Sequence, residues 1–198
     1  MSRITQMVKK GIAILSAGIR GIEIEFLVLV VGQACTLKCK ECGTLSPYAP
    51  RNMSRYSFDL LKSNLDVLLN HACRISKLQI QGGEPFLYGE LKALLIYLLA
   101  SDKIMKIEIA TNGTIVPPQD MANVLSNPRV FIRASAYGNI KTKVRLLEVY
   151  LQADGIQHRI YNFATNDGTW YDQGGVDVPR ENSDAIVKKR FDDCPFSR

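Results

Sequence analysis

The sequence has only two histidines, one tryptophan and no long apolar run. The few histidines restrict the metal sites that the chain can form, and the short apolar runs argue against a membrane protein. His71 and His158 lie far along the chain from the three clustered cysteines, so no nearby histidine completes a metal site there. The longest apolar stretch, residues 26–32, is far shorter than the ~20 residues that cross a bilayer, so we expect no membrane span. Basic residues scattered through residues 1–21 argue against a secretory signal.

Charge and cysteine content further limit the function. The chain has 25 basic and 19 acidic residues, a net charge of +6, but no basic block interleaved with aromatic residues. We therefore expect no nucleic-acid partner. With 46% hydrophobic residues, the 198-residue chain is typical of one globular domain. Five cysteines without a secretory signal predict a cytoplasmic protein whose thiols are free to bind metal.

Hydrophobic periodicity predicts an alternation of strands and helices. We predict strands at 22–31, 77–81, 106–111, 130–135 and 158–162, and helices at 3–15, 57–73, 90–100, 119–125 and 140–153. The first strand is apolar at nearly every position, which predicts burial on both faces. This order favours an α/β fold with a parallel sheet, and five strands are too few for a closed eight-stranded barrel. We expect an open or partly closed barrel, followed by a loop-rich tail with one helix near residues 183–191.

Three cysteines follow the first predicted strand directly. Cys35, Cys39 and Cys42 lie at spacings of four and three, so a loop can bring their sulfurs to one metal site. Structural zinc sites need four ligands, whereas three thiolates on a four-iron cluster leave one iron open for chemistry. The residues alone leave two alternatives open: a zinc site completed by Cys73 or Cys194, and chance clustering.

The cysteine spacing resembles the CxxxCxxC signature of the radical S-adenosylmethionine (SAM) superfamily. Two further motifs resemble that family: Gly82-Gly83-Glu84-Pro85 at the end of the second strand and Thr111-Asn112-Gly113 at the end of the third. The resemblance covers residues 22–162 and implies a partial (β/α)6 barrel with its site at the carboxyl ends of the strands. We predict a helical extension at 1–21, a core domain at 22–162 and a tail at 163–198 that ends without a closing element, as a truncated extension would.

The resemblance assigns roles to the motif after the second strand. Gly82, Gly83 and Glu84 would engage the methionine amino group of SAM. Because glycine has no Cβ, a ligand can approach the backbone and φ can be positive. Glu84 supplies a carboxylate suited to an ammonium group. Pro85 cannot donate to a strand ladder, so it ends the strand there.

Further candidates follow the third and fourth strands. Asn-Gly is first a turn signal, and in this fold Asn112 and Gly113 would also shape the SAM pocket. Ser135 matches the position of a polar residue near the cofactor's ribose, although an ordinary serine at a strand end is an equal alternative. Tyr137 is a candidate for the pocket wall.

One position departs from the family pattern. The family commonly has an aromatic residue just before the third cysteine, where this chain has Glu41. A carboxylate cannot stack on adenine, so adenine contacts must come from the backbone or from another ring such as Tyr48. Cys194 resembles the first ligand of the auxiliary cluster found in some relatives, although one cysteine cannot hold a cluster. We interpret Cys73 as a core residue.

By resemblance, the chain would bind a [4Fe-4S] cluster and SAM, cleave SAM reductively and abstract hydrogen from a substrate through a 5′-deoxyadenosyl radical. It would need an electron donor such as a flavodoxin or ferredoxin. The sequence does not name the substrate, and the hint from Cys194 favours a peptide or protein. The alternatives are a truncated or inactive copy that binds the cluster as a scaffold, and a zinc-binding module.

Overall fold

The computed structural model describes residues 21–39, 42–137, 143–162 and 183–192. Its strands are β1 (Ile22–Val30), β2 (Ala72–Gln81), β3 (Ile107–Thr111), β4 (Val130–Ala136) and β5 (His158–Asn162). They form one sheet in the order β1-β2-β3-β4-β5, and every neighbouring pair is parallel. The predicted open parallel α/β fold is therefore confirmed. The predicted helix at 3–15 and most of the tail after residue 162 lie outside the described residues, so the domain boundaries stay predictions.

Helices connect the strands. They are α1 (Phe58–His71), α2 (Leu91–Ala100), α3 (Ala122–Leu125), α4 (Val144–Ala153) and α5 (Asp184–Asp192), and a 3-10 turn at Gln119–Met121 precedes α3. Ser57 caps α1 as predicted, because its side chain accepts a hydrogen bond from the Leu60 N–H. None of the described helices is long and apolar enough to cross a membrane.

The start of β2 differs from the prediction. The sequence predicted a helix to residue 73 and a strand from residue 77, whereas α1 ends at His71 and β2 begins at Ala72. No loop separates the two elements. Ala72 is buried and pairs with Ile22, so pairing with β1 decides this boundary over helical periodicity.

One face of the sheet is covered by helices and carries the core. Its strand residues alternate along β3, β4 and the carboxyl half of β2, and α1, α2 and α4 supply the opposing leucines. The fully buried members from strands are Ile75, Leu78, Ile80, Ile107, Ile109, Val130, Ile132 and Ala134. Burying one leucine or isoleucine side chain contributes about 1.5–3 kcal/mol, so this face supplies most of the stabilisation of the sheet.

The opposite face, which we call the inner face, is polar. It carries Lys77, Gln79, Glu108 and Arg133, which alternate with the core residues along β2, β3 and β4. The prediction that β1 is buried on both faces is wrong, since Phe26 is 46% exposed on this side. Phe26 and Val28 lie on this inner face, which is not the helix-covered one, whereas Leu27 and Leu29 on the other side pack against the core.

Candidate functional site

The candidate residues meet at one edge of the sheet. Because the strands are parallel, their carboxyl ends point the same way, so the segments that follow β1, β2 and β3 lie side by side. The cysteines follow β1, the Gly-Gly-Glu-Pro motif follows β2, and Asn112 follows β3. Ser135 lies near the end of β4. The structure thus brings all four sequence-predicted segments to the carboxyl edge.

The three cysteines lie on a loop with pinned ends, which we call the cysteine loop (residues 35–52). On its amino side, the backbone N–H groups of Gln33 and Ala34 donate to the carbonyls of Met53 and Ser54 on its carboxyl side, both at 2.9 Å. These bonds close the loop at its base. The loop therefore projects its thiols from a fixed frame at the strand edge.

The three thiols influence one another. Burial raises the pKa of Cys35, although the Leu37 N–H, 3.4 Å from its sulfur, opposes that change. Burial also raises the pKa of Cys39, and the charges of Cys42 and Cys35 raise it further. The thiols are close enough to repel one another as thiolates. Bound metal relieves such repulsion, so this donor set fits an iron–sulfur cluster.

Cys42 differs from the other two thiols. Burial acts to raise its pKa, but hydrogen bonds from Thr44 and Ser46 outweigh burial and lower the pKa. The Thr44 hydroxyl lies 3.3 Å from the Cys42 sulfur and 2.8 Å from the Ser46 hydroxyl, which donates to Gln33 Oε1 at 2.7 Å. The Thr44 hydroxyl also lies 3.4 Å from the Gly82 carbonyl. These contacts of Thr44 and Ser46 were not predicted, because their only signal in the sequence is two hydroxyl residues just after the third cysteine.

The spacing of possible ligands bears on the zinc alternative. Among the described residues, which include Cys35, Cys39 and Cys42, no three His, Cys, Asp or Glu side chains converge closely enough to hold one metal ion. A structural zinc needs four ligands around one ion, and Cys194, one of the two fourth ligands considered, lies outside the described residues. A four-iron cluster places each thiolate on a separate iron. Cys73 lies at the amino end of β2, eight residues and about 26 Å from the carboxyl edge.

The two glycines after β2 leave room for the backbone of residues 32–34, which leads into the cysteine loop, and neither is needed for an unusual φ. Neither Gly82 nor Gly83 has a positive φ, so that part of the prediction is wrong. A Cβ on Gly82 would lie 2.1 Å from the Gly32 carbonyl oxygen, and one on Gly83 would lie 2.3 Å from the Ala34 carbonyl oxygen. The Gly83 N–H donates to the Gly32 carbonyl at 3.0 Å. Only glycine allows the two strand ends to approach this closely.

Glu84 is 2% exposed, and its carboxylate joins the ends of β2 and β3. It accepts hydrogen bonds from the Thr111 hydroxyl and the Asn112 N–H, both at 2.8 Å, and from the Phe86 N–H at 3.0 Å. Burial raises the pKa of Glu84, and these hydrogen bonds oppose the change. An ionised carboxylate has about four acceptor sites, so about one remains for a ligand donor. Thr111 was named in the sequence motif, but its contact with Glu84 was not foreseen.

Asn112 connects the end of β3 to the cysteine loop. Its side-chain nitrogen lies 3.1 Å from the Thr36 hydroxyl and 3.5 Å from the Cys35 sulfur. Its side-chain oxygen accepts from the Thr114 N–H at 3.0 Å. Gly113 has φ +68°, so the predicted Asn-Gly turn is present. Thr36 and Thr114 had no signal in the sequence beyond their proximity to the motifs.

Ser135 is buried, and its side chain hydrogen-bonds with Tyr137. Burial raises the pKa of the Tyr137 phenol, the Ser135 hydrogen bond lowers it, and the charge of Cys39 raises it. Tyr137 therefore lies within electrostatic reach of the cysteine loop. Tyr48, which lies on the cysteine loop, is 46% exposed. Its contact with adenine stays a prediction. Glu41, Cys194 and the tail beyond residue 192 lie outside the described residues.

Comparisons with known proteins agree with this fold. No family model matches the chain. The chain is 30% identical to a GTP 3′,8-cyclase of Xanthomonas axonopodis pv. citri (strain 306) over 100 residues. The matched segment covers 48% of this chain and 29% of that protein. The chain thus spans well under two thirds of this curated relative.

Solved structures share the fold. A structure of anSMEcpe with bound AdoMet has a TM-score of 0.54 at 21% identity, over 70% of this chain and 42% of that one. Streptococcus suis SuiB has a TM-score of 0.55 at 22% identity, over 78% and 36%. BtrN in complex with AdoMet and 2-DOIA has a TM-score of 0.57 at 17% identity, over 72% and 58%.

These likenesses confirm the predicted partial-barrel fold class. Three motifs lie in the predicted order at successive strand ends, the structure brings them to one edge, and the sequence matches a GTP 3′,8-cyclase. The chain is therefore similar in sequence to a GTP 3′,8-cyclase over about half of its length, and it shares its fold with two structures solved with AdoMet.

Proposed function

We propose that this chain is a radical SAM enzyme that binds a [4Fe-4S] cluster through Cys35, Cys39 and Cys42. The observation that carries the proposal is the meeting of the three-cysteine loop with the Gly-Gly-Glu-Pro motif at one strand edge, where the Glu84 N–H donates to the Ala34 carbonyl and the Thr44 hydroxyl lies 3.4 Å from the Gly82 carbonyl. When bound, the reduced cluster and SAM together supply a 5′-deoxyadenosyl radical that takes a hydrogen atom from the substrate. The chain supplies binding, orientation and exclusion of water.

The residues around the thiols position and adjust the donors. The Leu37 N–H and the Asn112 side chain point hydrogens at the Cys35 sulfur, and the Thr44 hydroxyl lies beside the Cys42 sulfur. Hydrogen bonds to the sulfurs stabilise negative charge there and favour the reduced form of a cluster.

Glu84 is proposed to orient SAM through the methionine ammonium. Its carboxylate is fixed by three donors from the chain, so it presents its remaining acceptor site in one direction. Gly82, Gly83 and Pro85 hold this carboxylate against the cysteine loop. Asn112, Gly113 and Ser135 complete the proposed SAM pocket.

A peptide or protein is the preferred substrate class. SuiB has been solved with the precursor peptide SuiA, and anSMEcpe with the peptide Kp18Cys, both with this fold. The curated relative is instead named for GTP, so the choice of substrate is a preference drawn from fold neighbours. A flavodoxin or ferredoxin is the proposed electron donor, and the cytoplasm is the proposed compartment.

The test is anaerobic reconstitution of the full chain with iron and sulfide. We expect four irons per chain, and release of 5′-deoxyadenosine from SAM after addition of dithionite. Cys39→Ser should abolish both iron loading and cleavage. Cys73→Ser is the matched control, because it removes a thiol from the opposite end of β2.

Three results would contradict the proposal in different ways. A chain that stays free of iron refutes the cluster. One zinc per chain without sulfide identifies the zinc module instead. A full cluster without 5′-deoxyadenosine above the level of Cys39→Ser identifies the inactive scaffold.

A further inference from the structure

A row of charged side chains crosses the inner face of the sheet. Lys77 on β2, Glu108 on β3 and Arg133 on β4 form one network centred on the Glu108 carboxylate. That carboxylate, whose side chain is 12% exposed, lies 3.3 Å from Lys77 Nζ and 3.2 Å from Arg133 Nε. It also accepts from Gln79 Nε2 at 3.0 Å. Two cations thus share a single carboxylate.

Arg159 on β5 extends the row with a further positive charge. It pairs directly with Arg133 in the parallel ladder, so two arginines lie side by side on neighbouring strands. Like charges in such positions destabilise a sheet unless something neutralises them. The Arg159 guanidinium carbon lies 4.8 Å from the centre of the Tyr161 ring. Within the described part of the chain, no carboxylate lies within 4.0 Å of Arg159.

The row is close to the proposed radical site. Arg133 and Ser135 alternate along β4, so they point to the same side of the sheet, and Ser135 hydrogen-bonds with Tyr137 just after the strand. Burial raises the pKa of the Tyr137 phenol, and the charges of Cys39 and Arg133 act on it in opposite directions. Tyr137 therefore lies within electrostatic reach of Cys39 and Arg133, and Arg159 pairs with Arg133 on the neighbouring strand.

We propose that Arg133 and Arg159 bind an anionic group of the substrate, a carboxylate or a phosphate. In the row formed by the described residues Lys77, Glu108, Arg133 and Arg159, three cations stand against one carboxylate, an excess positive charge that an anion neutralises. Arginine suits the task because its planar guanidinium forms two parallel hydrogen bonds with carboxylate or phosphate. Stacking on Tyr161 restricts the Arg159 guanidinium, which lowers the entropy lost on binding. The inference rests on the proposed function, because it places the substrate beside the SAM site.

The experiment measures anion binding and SAM cleavage separately. Pyrophosphate and glutarate are titrated by calorimetry into the reconstituted full chain, with ionic strength held constant by sodium chloride. At least one anion should bind, and Arg159→Gln should weaken that binding about tenfold or more, as expected for loss of a charge-assisted hydrogen bond. Arg74→Gln is the control, because Arg74 is an exposed arginine at the amino end of β2.

Preference for glutarate identifies a carboxylate, as on an acidic side chain or the carboxyl terminus of a peptide, and preference for pyrophosphate identifies a phosphate. The proposal is overturned if neither anion binds, or if Arg159→Gln and Arg74→Gln weaken binding equally. Release of 5′-deoxyadenosine by the unaltered chain is scored independently. Anion binding without SAM cleavage contradicts the proposed function and supports the anion site. SAM cleavage without anion binding supports the proposed function and contradicts the anion site.

Discussion

The helix-covered face of the sheet and its carboxyl edge are stabilised in different ways. On the face, residues such as Ile80, Ile109 and Ile132 are fully buried among leucines from the helices. At the edge, Glu84 and Asn112 form specific hydrogen bonds, and Gly83 packs backbone against backbone. The face gains stability in proportion to buried apolar area, whereas the edge depends on individual atoms in fixed positions. Changes on the face should alter folding, and changes at the edge should alter the site.

The largest effect is expected on the face. Ile109→Ala should lower the free energy of unfolding by about 2–5 kcal/mol, because it leaves a cavity in a fully buried position. Urea denaturation followed by circular dichroism measures this change. Val67→Ala on α1, where the side chain is 62% exposed, should change the value by less than about 0.5 kcal/mol. Equal losses in the two variants would show that the face is not the core.

At the edge, Glu84→Ala should weaken SAM binding by about 1.5–3 kcal/mol, because it removes the proposed partner of the ammonium. Calorimetry on reconstituted protein measures the affinity, and absorbance of the cluster should stay unchanged. Glu25→Ala, an exposed glutamate on β1, is the control. If Glu84→Ala binds SAM as tightly as the control does, Glu84 serves only to join β2 to β3.

Gly83→Ala tests the close approach of the two backbones. Its Cβ would lie 2.3 Å from the Ala34 carbonyl oxygen, so the cysteine loop must shift. We expect a loss of about 1–3 kcal/mol in unfolding free energy, together with reduced iron loading. Gly89→Ala is the matched control, because a Cβ there meets no atom within 4 Å. Full iron loading in Gly83→Ala would mean that the loop adapts to the added methyl group.

The smallest effect is a dependence of SAM affinity on pH. The carboxylate form of Glu84 binds an ammonium, and burial raises its pKa above the ordinary 4.5. Affinity should therefore be highest above the raised pKa and fall as pH drops through it, starting at a higher pH than for an ordinary glutamate. Glu84→Gln should remove this part of the dependence. An unchanged pH profile in that variant would assign the titration to another group.

The sequence predicted the features set by periodicity and motif order. All five strands, their parallel arrangement and the four segments at the carboxyl edge were anticipated, because alternating apolar patterns and strand-end motifs are local signals. The exposed side of β1 was not, since the apolar pattern of Phe26 and Val28 does not reveal which face of the sheet the helices cover. The contacts of Thr36, Thr44 and Ser46 could not be predicted, because they depend on how separate loops meet in space.

The closed base of the cysteine loop has a consequence for engineering. Its two ends are joined by main-chain hydrogen bonds from Gln33 and Ala34, so the frame beneath it does not depend on side chains within the loop. Changing the length of a loop whose ends are already fixed costs little, since closure entropy grows slowly with length. The segment between Ala34 and Met53 is thus a unit that can be replaced without changing the strands that hold its ends. A chimaera that exchanges this segment would change the surroundings of the three thiols while keeping the same sheet.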